Sequence, residues 1–232
     1  MEIKKNKLLF NIQNNEVNGL ITDNKELIID LLKEKDKASI IQEDFLYNYL
    51  DITINDYMNG EIERKSLVLR DKEKKIKDSL RIVGLNRIDI NRNVITLSES
   101  EKKLLQIAIS LLSNPDILVF EEPFLKLDLK NQKKLMLFFQ KIKDKFNKTI
   151  IFITNNSNIL YKYADYIVII KNNKAIVEGT KKVLEDVQNL KKNDILVPEI
   201  VLFTYKAKEK YNVKIDYHND IRDIIKDIYK HV

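Results

Sequence analysis

Three short, unbroken apolar runs constrain this chain more than any other feature: Ile117-Leu118-Val119-Phe120, Ile150-Ile151-Phe152-Ile153 and Tyr166-Ile167-Val168-Ile169-Ile170. A strand with one solvated face alternates apolar and polar residues, whereas a strand covered on both faces is apolar throughout. Long helical patterns lie between and before these runs. Residues 98–113 carry Leu104, Leu105, Ile107, Ala108, Leu111 and Leu112 at helical spacing, and residues 129–146 form a long amphipathic helix. Strands alternating with helices predict an α/β fold with a mainly parallel sheet flanked by helices.

Further elements extend the pattern. Residues 7–13 alternate and predict a strand, as do 17–22, 38–42 and 174–178; residues 25–33 predict a helix with Leu27, Ile28, Leu31 and Leu32 on one face. Residues 43–93 are mostly polar and helical, clearest over 70–83, with Gly84 placed as a C-cap. Asn172-Asn173 marks a hairpin turn. Helices are expected to follow to the end, with Pro198 near a helix start. The implied layout is an α/β core over 1–42 and 114–190, an inserted helical sub-lobe over 43–113, and a C-terminal helical tail over 191–232.

Several function classes are excluded early. No apolar run approaches the ~18 residues that cross a bilayer, and Met1-Glu2-Ile3-Lys4-Lys5 opens no signal-peptide core. Cysteine is absent, which removes disulfides and thiolate metal sites. The expectation is a cytosolic protein. Net charge is +6, but 35 of the 41 basic residues are Lys, mixed with Asp and Glu. That mixture predicts a solvated surface rather than a nucleic-acid face.

The chemistry-bearing residues occur in a fixed order. Leu97-Ser98-Glu99-Ser100-Glu101 opens a helix, and Asn114-Pro115-Asp116 leads into a strand ending Phe120-Glu121-Glu122-Pro123. Leu127-Asp128 precedes the long helix, and Asn155 follows the second apolar run. This series resembles the second half of an ABC transporter ATP-binding domain: signature helix, Walker B strand, D-loop and switch residue. The stretch 183–232, with Val197-Pro198, is similar to the tail of energy-coupling factor (ECF) ATPases. Upstream, Gln42 falls at the family's Q-loop glutamine, Thr53-Ile54-Asn55-Asp56 at a helix start, and residues 16–21 at the strand leading into the P-loop. The resemblance implies a P-loop-NTPase-like fold and site positions at Glu122, Glu121 and Asn155 for catalysis. It implies Lys25, Gln42, Ser98 and Asp128 for ATP and Mg²⁺, and no protein-only metal site.

The departures are as informative. A P-loop needs G-x-x-x-x-G-K-[ST], whose glycines let backbone N–H groups cradle phosphates. Here the junction is Thr22-Asp23-Asn24-Lys25-Glu26, with no glycine and two carboxylates. Asp23 or Asn24 is expected to N-cap the following helix. The family's upstream strand with its adenine-stacking aromatic is expected to be missing; Phe10 reads as core. Glu99 and Glu101 replace signature residues, and Ser98 with Glu101 spells a capping box. A carboxylate ~5 Å from a phosphate charge costs roughly 3 kcal/mol at an effective dielectric of ~20. Glu121 replaces the family aspartate, moving a carboxylate where positioning governs phosphoryl transfer. Asn155 cannot take a positive charge as a histidine can, and His218 and His231 lie in the tail, where surface positions are expected.

The resemblance therefore implies a degenerate, non-hydrolytic cassette subunit, a pseudo-ATPase with no cofactor expected. Its partners would be an intact ABC ATPase and a transmembrane transporter subunit at the cytoplasmic membrane face, with Gln42, Glu43 and Asp44 near the family's docking groove. The alternatives are a divergent active ATPase using Glu122 and Asp128, and a soluble interaction protein that kept the fold alone.

Overall fold

The computed structural model describes residues 1–5, 8–42, 51–211, 215–218 and 220–231. Contacts divide the chain into two compact units, Met1–Leu31 with Ile151–Val232, and Leu32–Ile150.

The first unit opens with an antiparallel ribbon, β1 (Glu2–Lys5) and β2 (Leu8–Asn11), pairing Ile3 with Phe10. The sequence reading had no strand at β1; it forms because Ile3 and Phe10 bury completely on one face of the ribbon. Strand β3 (Val17–Thr22) is buried at every position. It pairs in parallel with β7 (Tyr166–Lys171), Gly19 opposite Ile167. β7 turns through Asn172 and Asn173, both at positive φ, into antiparallel β8 (Lys174–Thr180). Asparagine tolerates that left-handed conformation, which the tight hairpin demands. Helix α1 (Lys25–Lys33) follows β3 and buries Ile28, Ile29, Leu31 and Leu32.

The second unit holds β4 (Ala38–Ile41) in parallel with β5 (Ile117–Glu121), Ser39 opposite Leu118. Between them run α2 (Ile54–Arg64), α3 (Lys72–Ile82) and α4 (Glu99–Leu111). Thr53 caps α2 by accepting from Asp56 N at 3.1 Å, and Gly84 at φ +86 ends the α3 region. Helix α5 (Leu129–Phe146) buries Phe138 and Phe139, and the Phe139 ring sits 4.6 Å from Phe120 and 6.1 Å from Phe124. Such tilted aromatic contacts add to area burial.

Strand β6 (Thr149–Ile153), fully buried, begins in the second unit and ends in the first. Thr149 N donates to Asp116 O at 2.9 Å, and Thr154 N donates to Leu20 O at 3.1 Å. The remaining helices are α6 (Ser157–Tyr163), α7 (Val187–Lys192), α8 (Glu199–Tyr211) and α9 (Ile221–His231). The sequence reading did not separate α6; at seven residues it is too short for a periodic signal and is fixed by its Asn156 cap and buried Leu160. The architecture is α/β, with a mainly parallel sheet flanked by helices.

Candidate functional site

In the first unit the decisive stretch is the junction between β3 and α1. Only Asp23 and Asn24 separate Thr22 from Lys25. Asn24 Oδ1 accepts from Leu27 N at 3.1 Å and so caps α1; Asn24 N donates to Thr22 Oγ1 at 3.1 Å. Asp23 is not the cap. Its carboxylate accepts from Asn172 N at 2.9 Å and ties the junction to the β7–β8 turn. Asn24 Nδ2 reaches Asn173 Oδ1 at 3.5 Å. Asn155 follows β6, and its Oδ1 accepts from Thr22 N at 3.3 Å. A helix start attracts phosphate through unsatisfied N–H donors. Here the Thr22, Asn24 and Leu27 N–H groups donate to oxygens of the protein itself. Lys25 is half-buried in the first turn of α1.

In the second unit Ser98 and Glu101 form the capping box in full. Ser98 Oγ accepts from Glu101 N at 3.3 Å, and Ser98 N donates to Glu101 Oε2 at 2.9 Å. Glu101 also meets Arg92 at 3.5 Å, and Glu99 meets Lys102 at 2.9 Å. The Ser98 backbone N–H, aided by the Ser98 hydroxyl and Arg92 against the opposing effect of burial, holds the Glu101 carboxyl below its ordinary range. Asp128 is exposed and caps α5, accepting from Asn131 N at 2.8 Å. A depression of about 490 Å³ beside the α4 start is lined by Ser98, Glu101, Lys103, Leu127, Asn131 and Lys134. It brings the starts of α4 and α5 together.

Glu121 and Glu122 are half-buried at the end of β5. Glu122 sits at φ +42, an uncommon region for a side-chain-bearing residue. Lys103, only 8% exposed, donates from its ammonium to the Glu122 carbonyl oxygen at 3.4 Å. Sequence reasoning missed Lys103; the signal was a charge set one turn before Ile107 on the buried face of α4. That face is also more polar than the leucine spacing implies, since Gln106 and Ser110 are buried while Leu104 and Leu111 are half-buried. Gln42 is exposed just past β4, and Glu43 and Asp44 lie outside the described residues. Phe10 is fully buried in the ribbon. His218 is not a bare surface residue: its Nε2 is 2.6 Å from Asp227 in the tail, with the side chain 30% exposed.

The donor set does not fit Mg²⁺. That ion demands near-octahedral oxygen coordination, usually completed by substrate phosphates. Among the described residues no cluster of three or more His, Cys, Asp or Glu is arranged to hold a metal. At the end of β5 the Lys103 ammonium meets the main-chain carbonyl of Glu122.

No protein-family model matches the chain. Solved structures do. The cbiO1 protein of Clostridium perfringens, part of the ABC transporter complex cbiONQ, aligns with a TM-score of 0.67 at 18% identity, covering 85% of this chain and 90% of its own. A metal-chelate type ABC transporter in an inward-facing conformation aligns at 0.69 and 16% identity, covering 79% of each chain. The chain has the fold of an ATP-binding cassette. In sequence the chain is similar to the energy-coupling factor transporter ATP-binding protein EcfA2 of Streptococcus agalactiae, 30% identical over 139 residues. Those residues are 60% of this chain and 49% of the relative. The EcfA of Methanocaldococcus jannaschii is 28% identical over 161 residues, 69% of this chain and 57% of the relative. The chain thus spans about half the length of the curated relatives it matches. Among the described residues no helix is long and apolar enough to cross a membrane.

Proposed function

We propose that this chain is a non-hydrolytic cassette subunit of an ABC transporter of the ECF type, a pseudo-ATPase that serves its complex by binding rather than by turnover. It would pair with an intact ABC ATPase and attach to a transmembrane subunit on the cytoplasmic face of the cell membrane. In that assembly residues 43–113 act as the helical sub-lobe and 191–232 as the tail. ATP and Mg²⁺ are not expected as cofactors of this chain.

The observation that carries the reading is the closed β3–α1 junction. Two residues cannot wrap a phosphate chain, and the Leu27, Asn24 and Thr22 N–H groups are taken by Asn24, Thr22 and Asn155. Asp23 adds a negative charge where phosphates would lie. The α4 start supports the same reading, because its capping box takes the Ser98 and Glu101 N–H groups and the first turn adds two carboxylates. Lys25, Gln42, Ser98, Asp128, Glu121, Glu122 and Asn155 keep the family positions without the family chemistry. Thr22, Asn24, Ser98 and Asp128 hold strand ends and helix starts in place.

Isothermal titration of the purified chain with Mg-ATP, alone and with an intact cassette partner, tests this. The expected result is no saturable heat from the chain alone and a stable complex with the partner. Saturable Mg-ATP binding by the chain alone, abolished by substitution in 22–26, would instead establish the active-ATPase reading.

A further inference from the structure

In the second unit a cavity of about 60 Å³ lies between the end of β4, the C-terminal turn of α2 and the buried face of α4. One water needs roughly 10–15 Å³ of such space, so about four water-sized groups fit. Ile41 and Ile109 give it apolar walls, and Glu61, Lys65, Gln106 and Ser110 give it polar ones. Gln106 is 6% exposed and Ser110 3%. They stand one turn apart on α4 and so share a face. Among the described residues no partner takes the Gln106 amide or the Ser110 hydroxyl, and neither group is sealed off from the cavity. Buried polar side chains are normally satisfied, so two unpartnered ones at a cavity point to an occupant. The local charge says which kind. Glu61 is buried and already taken by Arg64, whose Nε and Nη2 donate to its carboxylate at 2.9 and 2.7 Å. Lys65 is a second cation beside that pair, and among the described residues its ammonium makes no ion pair. Burial pushes the Lys65 ammonium below the usual lysine value, with Glu61 opposing and Arg64 adding to the effect. Glu61, Arg64 and Lys65 together carry one positive charge, which disfavours a cation and favours an anion. An ammonium, an amide N–H and a hydroxyl are donors that suit carboxylate oxygens.

We propose that this cavity is a binding site for a single carboxylate, held by the Lys65 ammonium, the Gln106 amide and the Ser110 hydroxyl. The site goes beyond the cassette reading and uses none of the nucleotide positions. A free small acid and an acidic side chain of a bound partner present the same group, and the cavity admits the carboxylate with little of its stem. Occupancy joins the last turn of α2 to α4 through one ligand and stabilises the folded unit by mass action.

The test uses the full chain and the nuclear magnetic resonance signal of the Gln106 side-chain amide, assigned by its loss in Gln106→Leu. Sodium acetate is titrated against sodium chloride at constant ionic strength. In the wild type the signal should shift saturably, with a Kd in the millimolar range. Lys65→Gln should weaken binding at least about ten-fold, because the charge-assisted bond is gone, and Ser110→Ala should weaken it less. Circular dichroism confirms that each variant is folded. N-acetyl-glutamate amide, whose carboxylate is the side chain, separates the two sources. Binding as tight as that of acetate supports an acidic side chain as the natural occupant, and binding of acetate alone supports a free small acid. A Gln106 signal that acetate never shifts saturably would overturn the proposal. So would a folded Lys65→Gln that binds acetate as tightly as the wild type. If Lys65→Gln does not fold, Lys65→Met is read in the same way.

Discussion

Ser98→Ala removes the side chain that accepts from Glu101 N at 3.3 Å and donates to Glu101 Oε2 at 3.0 Å. Loss of a serine N-cap costs about 1 kcal/mol. For a chain of this size that lowers Tm by ~2–4 °C. Glu101→Gln keeps an acceptor for Ser98 N but loses the charge at the helix start, about 0.5 kcal/mol. The exposed contact to Arg92, with side chains 39% and 32% exposed, adds little after screening. The two changes share bonds, so the double variant should lose less than the sum. The contribution of Glu101 depends on pH. Its carboxyl is depressed in the folded state, chiefly by the Ser98 backbone N–H. The stabilisation is therefore fully present above the ordinary glutamate value of about 4.3 and is lost as pH falls below it. Thermal unfolding of wild type and Glu101→Gln should differ at pH 7 and converge near pH ~3. Ser98→Ala should leave Mg-ATP titrations unchanged. An unchanged Tm for Ser98→Ala together with altered nucleotide binding would refute the capping account and return Ser98 to a ligand role.

Gly19→Ala should destabilise by ~1–3 kcal/mol, since a Cβ there would lie 2.7 Å from Leu160 and 2.9 Å from Ile167 in a buried strand; chemical denaturation measures it. Phe139→Ala should cost about 3–5 kcal/mol, because its ring packs on Phe120, Phe124 and Phe138, and the loss should appear as a lower denaturation midpoint at unchanged slope. Asn24→Ala should cost about 1 kcal/mol while Asn24→Asp, which keeps the acceptor for Leu27 N, should nearly restore the wild-type Tm.

Local chemistry was legible wherever the partners sit within a few residues. The capping box at Ser98 and Glu101 repeats the i, i+3 spacing of its own bonds, so four letters suffice to specify it. Helices α1 and α5 begin and end where their apolar period does, and β5 and β6 follow from apolar runs. The Asn172-Asn173 turn is equally local, as both residues take up the positive φ that the hairpin needs.

The sequence by itself determined the α/β class, the capped helices and the lack of glycine at the β3–α1 junction, because each depends on neighbours a turn or less apart. It left open whether Asp23 or Asn24 caps α1. Only the folded chain assigns that role to Asn24 and sends Asp23 to Asn172 N, 149 positions away. Tertiary structure likewise brought Asn155 to Thr22 N and the Lys103 ammonium to the Glu122 carbonyl. These pairings depend on strand order and on where a helix crosses a strand end. No local period encodes such placements, since the packing of many distant apolar residues fixes them before any one polar bond can form.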